Sequence, residues 1–391
     1  MTPEDFQQQI ESLVPDIAAR ALQCEEERCV PAESIKELLE HGILRGLQPR
    51  RFGGFEMHPL DYYEGMSRLG EACASTAWVT GILMVHSWQL ALFAREAQEE
   101  VWGDDPTSLI SSSYAPTGKI EVADGGYRIT GRWNFSSGCQ HAQWAFLGGI
   151  VPNGPRTWQG LPDIRTFLLP RSDYQIDDVW HTAGMIGTGS NDIVVDGAFV
   201  PEHRTLPFAD VVTCQCPGWD ANPSALFRAP FATIFVNCLA APAIGNARGA
   251  LARFIEKCRG KLARAKPTKD PLDPPAQTVV AESVADLDGI LLQRRHNLNE
   301  MMNYAERGET IPIDRRARYR WDAARAACIS AEVCDRLFDA GGGHGVFLYD
   351  PTQRAFRDAR VMAVHAYTHR DKSARVYGRA ALGYDYRDYL L

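Results

Sequence analysis

The chain has 391 residues, which is enough for two or three domains of ordinary size or for one large unit. Its 45% hydrophobic and 23% charged residues are typical of a globular protein and exclude wholesale disorder or a collagen-like fibre. The formal net charge of −8, with basic residues dispersed among acidic ones, argues against a nucleic-acid partner.

The first third of the sequence predicts a helical block that ends near residue 105. Apolar residues from Phe6 onward keep helical spacing, and a second helical pattern runs from Ala32 to Leu44. The longest apolar stretch, 77–94, contains His86 and other polar residues, which favours a buried helix over a membrane span. The chain opens without a secretory pattern, so we expect a cytoplasmic location and no membrane contact.

The middle of the sequence predicts a small β unit. Residues 127–135 alternate between apolar and polar positions directly after a turn formed by Asp124, Gly125 and Gly126. Two further segments, 166–169 and 193–200, are rich in strand-forming residues and are bounded by prolines. We therefore expect a strand after a hairpin turn, followed by more strands.

Helical periodicity returns in the last part of the chain. Apolar stripes run through residues 284–302 and 324–338. Before them, residues 266–275 hold four prolines and several charges, which predicts an exposed loop. The predicted class is therefore α+β, mainly α, with a helical domain at 1–105, a β domain at 106–222 and a helical bundle at 223–391.

Several common sites are disfavoured by their missing motifs. The ten cysteines have neither zinc-site nor disulfide-framework spacing, so we interpret them as reduced thiols. The sequence holds no G-x-G-x-x-G after a strand and no P-loop, which argues against a Rossmann dehydrogenase or a P-loop enzyme. Residues 188–190 are predicted to form a tight turn.

Two groups of hydroxyl side chains are candidates for binding a polar or planar ligand. Ser111, Ser112 and Ser113 open the β unit, and Ser136 and Ser137 follow the strand that contains a tryptophan. Serines at such junctions equally often satisfy only the loop backbone. Both interpretations remain open from the residues alone.

Three histidines are candidates for chemistry. His86, with Trp88 nearby, lies in an apolar helix, where a hydrogen-bonded core residue is the more common outcome. His365 offers a proton donor or acceptor, and His369, four residues on, would share its helical face. No third ligand completes a short-spaced set, so we expect no metal.

A glycine-rich segment at 341–345 follows the second stripe, and Arg357 lies on the next predicted helix. The glycines either admit a diphosphate or end the helix.

The order of helices, strands and helices resembles the acyl-CoA dehydrogenase fold, and within it the two-component flavin-dependent monooxygenases. Matching segments are LQPRRFGG from Leu47, ISSSYAP from Ile110, SSGC from Ser136, GTGSN from Gly187 and QRAFRDAR from Gln353. The resemblance is closest to the steroid-catabolic and p-hydroxyphenylacetate hydroxylases. It implies an N-terminal helical domain, a central β-barrel or sandwich and a C-terminal four-helix bundle.

The resemblance also implies an activity. Dehydrogenases of this fold carry a glutamate base, whereas the late segment here reads VHAYTHRDK and has none, which favours the oxygenases. The family takes reduced FMN or FAD from a separate NAD(P)H-dependent flavin reductase and uses O₂ as co-substrate. We therefore expect ortho-hydroxylation of a phenol, with a steroid-derived phenol favoured by the resemblance, through a C4a-hydroperoxyflavin in a homotetramer.

Residue roles follow from the same resemblance. Ser137, with Ser136 second, corresponds to the contact at flavin N5, and His365 to the histidine beside C4a. His86 and Ser112 correspond to contacts of the substrate hydroxyl. Trp88 is placed with the substrate.

The remaining cofactor contacts are placed by resemblance as well. Trp133 and Ser112 lie with the flavin, and Gly342, Gly343 and Arg357 resemble contacts to the flavin tail across a subunit interface. The basic residue beside the flavin ring is Arg264, with Arg259 and Lys266 as alternatives.

Three alternatives remain. Instead of a phenol hydroxylase, the protein is then an N-, S- or indole-oxidising monooxygenase of the same fold, an acyl-CoA dehydrogenase-like flavoenzyme using Glu256, or a binding protein that has lost its flavin.

Overall fold

The computed structural model describes residues 1–263 and 274–384. Its N-terminal part is helical, as predicted. The second predicted helix ends at Glu40 rather than at Leu44, because Gly42 adopts a left-handed conformation (φ 74°) that interrupts the helix. The helices of this part are α1 (Pro3–Ala19), α2 (Ala21–Glu26), α3 (Ala32–Glu40), α4 (Pro59–Ala72), α5 (Ala74–Leu90) and α6 (Arg95–Trp102).

Helix α5 is buried over its whole length, which confirms the prediction of a buried helix. Its apolar residues surround the helix instead of forming one stripe, as expected for a helix enclosed on all sides. It packs against α4, against the first strand of the sheet and against a long C-terminal helix. The side chains of α5 therefore reach the place where the three parts of the chain meet.

The central part forms one seven-stranded sheet with the order β5-β6-β2-β1-β3-β4-β7. The predicted hairpin is confirmed, since β1 pairs antiparallel with β2, while the start of β1 pairs parallel with β3. The remaining pairs are antiparallel. The strands are β1 (Ile110–Ala123), β2 (Gly126–Ser136), β3 (Trp144–Ile150), β4 (Ile164–Pro170), β5 (Gln175–Asp177), β6 (Asn191–Pro201) and β7 (Thr205–Pro207).

The alternation predicted for β2 fails at its end. Phe135 has a φ of 68°, and its side chain is 68% exposed instead of facing the core. The pairing register with β6 shifts between Trp133 and Ser136, so the strand carries an irregularity at this point. A bulge of this kind redirects the side chains that follow it. The residues after Phe135 therefore do not continue the face on which Trp133 lies.

The last part of the chain is helical, and the predicted α+β, mainly α class is confirmed. The prediction of a loop at 266–275 is wrong for its last two residues. Pro274 and Pro275 begin a helix, and the first turn of a helix tolerates proline. Residues 266–273 lie outside the described part. The domain boundaries near residues 105 and 222 stay predictions. The helices are α7 (Phe208–Val212), α8 (Phe231–Ala263), α9 (Pro274–Glu306), α10 (Ile313–Gly341), α11 (Pro351–Ala363) and α12 (Arg370–Ala381).

The main hydrophobic core continues from the N-terminal helices into the C-terminal ones. Helices α4 and α8 cross closely, because a Cβ added at Gly245 would lie 2.0 Å from the Ser67 carbonyl oxygen. A second, smaller core covers one face of the sheet and includes Trp133. In the described ranges, no helix is both long and apolar enough to cross a membrane.

Candidate active site

Two adjoining cavities lie where α5, the sheet and the C-terminal helices meet. The larger has a volume of about 390 Å³ and the smaller of about 150 Å³. Both are lined by Trp78, Phe135, Ser137, His365 and Ala366. Because the cavities share these five lining residues, two ligands bound in them would lie next to each other.

The larger cavity is mainly apolar, with hydroxyl groups in its wall. Its volume falls in the range of about 300–1,000 Å³ that is usual for small-molecule and cofactor sites. Trp180 packs edge-on against Phe135 with a centroid distance of 6.0 Å. The walls that it does not share with the smaller cavity are Trp180, Met185, Thr188, Ser190, Val361, Met362, Val364 and Lys372.

The hydroxyl groups form a chain with a defined direction. Thr188 donates to the Met185 carbonyl at 2.9 Å, so it accepts from Ser190 at 2.7 Å, and Ser190 in turn accepts from Ser137 at 2.7 Å. Trp78 Nε1 donates to Ser137 Oγ at 3.2 Å. Each hydroxyl has one proton and two lone pairs. Ser137 is therefore left with one lone pair, which suits an N–H donor in the cavity.

The turn that carries Thr188 and Ser190 is held by α11. The buried carboxylate of Asp358 accepts from the Met185 backbone N–H at 2.6 Å, and burial raises the pKa of this carboxyl to about 7. Gly189 has a φ of 50°. The sequence indicated a turn at 188–190, but its place in a cavity wall was not predicted.

His365 lies in the turn between α11 and α12 and is half-buried. Its Nδ1 accepts from the Tyr367 backbone N–H at 3.3 Å, so in the neutral ring Nε2 carries the proton. Desolvation, and to a smaller extent Lys372, lowers the pKa of His365 to about 4. The predicted sharing of a helical face with His369 is wrong, because α11 ends at Ala363 and His369 only precedes α12.

The smaller cavity extends from the shared walls toward β1 and α8. Ser113 donates to the Asn134 carbonyl at 2.6 Å, and the Tyr114 hydroxyl donates to Gln89 Oε1. Ser112, predicted as a substrate contact, lies in this wall. The walls that it does not share with the larger cavity are Ile82, Ser112, Ser113, Tyr114, Ala115, Asn134, Phe235 and Tyr367.

His86 lies behind this wall and lines neither cavity. Its Nδ1 is 2.8 Å from the Ile110 carbonyl oxygen and donates to it, which leaves Nε2 as a buried acceptor without a partner. Burial lowers the pKa of His86 to about 4. The rings of Tyr114 and Phe235, with centroids 6.0 and 6.5 Å from that of His86, contribute to the cavity wall.

Three predicted contacts are not brought to the cavities. Trp88 donates to the Leu226 carbonyl and is wholly buried. Trp133 donates to the Gly148 carbonyl in the core of the sheet, and Ser136 donates to Ser111 Oγ. The irregularity of β2 explains why Ser137 lines the cavities while these neighbours do not.

The predicted contacts to the cofactor tail lie apart from both cavities. Arg357 donates to Gln353 at 2.6 Å and to the Ala183 carbonyl at 2.8 Å, and it pairs with Glu25. Gly342 and Gly343 are exposed after α10. Arg264 and Lys266 lie outside the described residues.

Sequence reasoning missed several wall residues, namely Trp78, Phe135, Trp180, Met185, Ser190 and Lys372. Most of them read as core or turn residues, so no local signal separates them from packing residues. Within ranges 1–263 and 274–384, no group of three or more His, Cys, Asp or Glu residues could hold a metal ion.

Comparison with known proteins gives the class of the fold. The family model described as "Acyl-CoA dehydrogenase, N-terminal domain" matches residues 3–105, and "Acyl-CoA dehydrogenase, C-terminal domain" matches residues 237–370. The chain therefore has the acyl-CoA dehydrogenase fold, as the resemblance implied.

Relatives of known activity define the family more narrowly. The oxygenase subunit HsaA of a flavin-dependent monooxygenase from Rhodococcus jostii is 40% identical, over 96% of this chain and 98% of the relative. The oxygenase component of p-hydroxyphenylacetate 3-hydroxylase from Acinetobacter baumannii is 33% identical, over 96% and 88%. The crystal structure of 3-HSA hydroxylase from Rhodococcus sp. RHA1 aligns with a TM-score of 0.94 at 38% identity, over 99% of both chains. The chain belongs to the oxygenase components of the two-component flavin-dependent monooxygenases.

Proposed function

We propose that this protein binds reduced flavin in the larger cavity and hydroxylates a phenol held in the smaller one. The observation that carries the proposal is that the two cavities adjoin at Ser137 and His365. The relatives support it, because one is named a p-hydroxyphenylacetate hydroxylase and others are named oxygenase subunits. The reduced flavin, FMN or FAD, comes from a separate flavin reductase, and O₂ is the co-substrate.

The residues of the larger cavity fit a flavin ring. Trp78 and Trp180 offer aromatic surface, Met185 and Met362 offer apolar contact, and Ser137 offers an acceptor for a ring N–H. When bound, reduced flavin would supply the two electrons that activate O₂, one atom of which is transferred to the phenol while the other leaves as water. The apolar walls keep water away from the reacting groups, which limits wasteful release of peroxide.

His365 holds oxygen at the junction of the cavities. With the pKa of the ring at about 4, the histidine is neutral at physiological pH, and its Nε2–H is a hydrogen-bond donor. A neutral donor stabilises an oxygen atom without giving up its proton prematurely. Ser137 thus positions the flavin by accepting a hydrogen bond, and His365 positions oxygen by donating one.

The phenol hydroxyl meets Ser112 in the wall of the smaller cavity. Behind this wall, the unpartnered Nε2 of His86 is a buried acceptor for the phenolic proton, and we infer that it is reached when the ring of Tyr114 shifts on binding. Partial removal of this proton makes the aromatic ring more nucleophilic at the ortho and para carbons. Ortho-hydroxylation is therefore the expected outcome for a phenol whose para carbon carries a substituent.

The flavin tail is assigned to a subunit interface. Gly342 and Gly343 are exposed and lie apart from the cavity of their own chain, as does Arg357. We propose that they meet the flavin of a neighbouring copy in a homotetramer.

The dehydrogenase alternative receives no support from the cavities. In the described part of the chain, no aspartate or glutamate lines either cavity, and Glu256 is exposed on α8. A carboxylate base for acyl-CoA is therefore missing at the place where the ring of a flavin fits.

The proposal is tested by titrating the protein with reduced FMN and reduced FAD without oxygen, and then mixing the complex with oxygenated buffer and a phenol. We expect saturable flavin binding and one hydroxylated product for most flavin oxidised. Flavin that oxidises at its free rate, with peroxide as the only product for every phenol, would overturn the proposal.

A further inference from the structure

The described walls of the smaller cavity carry no charged side chain. They combine aromatic and aliphatic residues with serines, one asparagine and two tyrosines. The one residue that titrates near neutral pH, His365, is neutral because desolvation holds its pKa near 4. A ligand in this cavity therefore meets no counter-ion among these residues.

Most polar groups of this wall are already satisfied within the protein. Ser113 bonds to the Asn134 carbonyl at 2.6 Å, and the Asn134 amide nitrogen donates to Asp192 at 2.7 Å. The Tyr114 hydroxyl donates to Gln89. Ser112, next to these groups in the chain, meets one ligand hydroxyl. The Nε2–H of His365 is also a donor in this wall, but the proposed function assigns it to oxygen, so a second polar group on the ligand would compete with oxygen for it.

Of the described residues, two cationic side chains close to this wall, Lys372 and Arg320, are not part of it. Lys372 lines only the larger cavity. The guanidinium carbon of Arg320 is 6.0 Å from the centroid of the Tyr367 ring, and Arg320 lines neither cavity. Tyr367 itself is part of the wall, and Arg320 contacts its ring instead of lining the cavity.

We infer that the substrate is an uncharged phenol with an apolar group away from its hydroxyl, and that phenols bearing a carboxylate are rejected. A carboxylate buried without a partner loses its hydration and gains nothing in return. This inference rests on the proposed function and distinguishes the chain from its relative that is named for p-hydroxyphenylacetate.

The test compares 4-ethylphenol with 4-hydroxyphenylacetate, which differ mainly in a methyl group against a carboxylate. Both are assayed with the full chain, reduced flavin and oxygen, and their binding is measured by equilibrium dialysis. We expect kcat/KM for product formation to be at least about a hundredfold higher for 4-ethylphenol. Equal values, or a preference for the acid, would overturn the inference and leave the proposed function standing. If reduced flavin binds but neither phenol binds or reacts, both fail.

A change of charge at Ala115 provides a second test. Ala115 lines the cavity at an exposed position, so a longer side chain is accommodated without disturbing the core. Ala115→Lys is expected to raise kcat/KM for 4-hydroxyphenylacetate relative to 4-ethylphenol at least about tenfold, because it supplies the missing counter-ion. Ala115→Gln, which has similar length and no charge, is the matched control. The same change in both variants would assign the effect to size and contradict the inference.

Discussion

At the scale of single residues, the direction of one hydrogen-bond chain sets which hydrogen bonds the larger cavity offers to a ligand. The proton of Ser137 is given to Ser190, so Ser137 presents only an acceptor to the larger cavity. Reduced flavin carries an N–H where oxidised flavin does not. If Ser137 contacts the flavin as proposed, this hydrogen-bond chain favours the reduced form, which is the form that an oxygenase component must receive.

Replacement of Ser137 by alanine tests this assignment. We expect Ser137→Ala to bind reduced flavin roughly tenfold more weakly, because one hydrogen bond is lost, and to release more peroxide per flavin oxidised. The measurement is an anaerobic titration followed by assay of product and peroxide. Ser113→Ala, whose hydroxyl bonds to a backbone carbonyl, is the control. Affinity and product yield equal to those of the wild type would remove Ser137 from flavin binding.

The protonation of His365 gives a second residue-scale prediction. Its folded-state pKa of about 4 lies below the ordinary value of 6.5, so the native state binds fewer protons than the unfolded one between these values. Both the contribution of His365 to stability and its proposed function as a neutral donor are therefore present above pH 6.5 and are lost as the pH falls through about 4. Lys372→Met removes a cause of the lowered pKa and is expected to move the acid limb of the ratio of product to peroxide to higher pH. An unmoved limb would show that Lys372 does not act on His365.

At the scale of elements, one buried carboxyl joins α11 to the turn that carries the hydroxyl chain. The pKa of Asp358 is raised to about 7 from an ordinary 3.8, so the native state binds more protons between these values and stability decreases as the pH rises from about 4 to 7. Asp358→Asn keeps an acceptor for Met185 N–H and removes this charge. The variant is expected to gain stability relative to the wild type as the pH increases from 5 to 8, as measured by urea denaturation.

Asp358→Ala is the comparison for this prediction. It leaves the Met185 N–H without its acceptor and is expected to have about 1–3 kcal/mol less unfolding free energy than Asp358→Asn at both pH values. Asparagine and alanine variants of equal stability would show that the bond to Met185 contributes little.

The sequence predicts a helix or strand well when the pattern that identifies it lies within that segment. The 3.6-residue and two-residue periods identify the helices and strands, because they reflect burial of one face. The irregularity at Phe135 has no such signal, and it separates Ser137, at the cavities, from Trp133 and Ser136. The turn at 188–190 was predicted as a turn, but its meeting with Ser137 depends on long-range packing.

At the scale of the whole molecule, the site needs all three parts of the chain. Helix α5 supplies Trp78, and the sheet and the turn after β2 supply Ser112 and Ser137. The C-terminal helices and the turns between them supply His365 and Phe235. Family resemblance predicted from the sequence that Ser112, Ser137 and His365 belong to the site, whereas periodicity alone did not decide between a site role and a structural one. Residues that only line the walls were missed because they look like ordinary core.

The source of electrons is a property of the whole chain and gives the last prediction. The sequence has no pyridine-nucleotide fingerprint, so NADH and oxidised flavin added to this protein alone are expected to give no hydroxylated product. Flavin reduced chemically, or by an unrelated flavin reductase, is expected to restore product formation from 4-ethylphenol, since reduced flavin reaches the site by diffusion. Catalase in the assay excludes a reaction of free peroxide. Product formed from NADH without a reductase would show that the chain reduces flavin itself, whereas restoration by only one particular reductase would show that flavin passes through a specific complex.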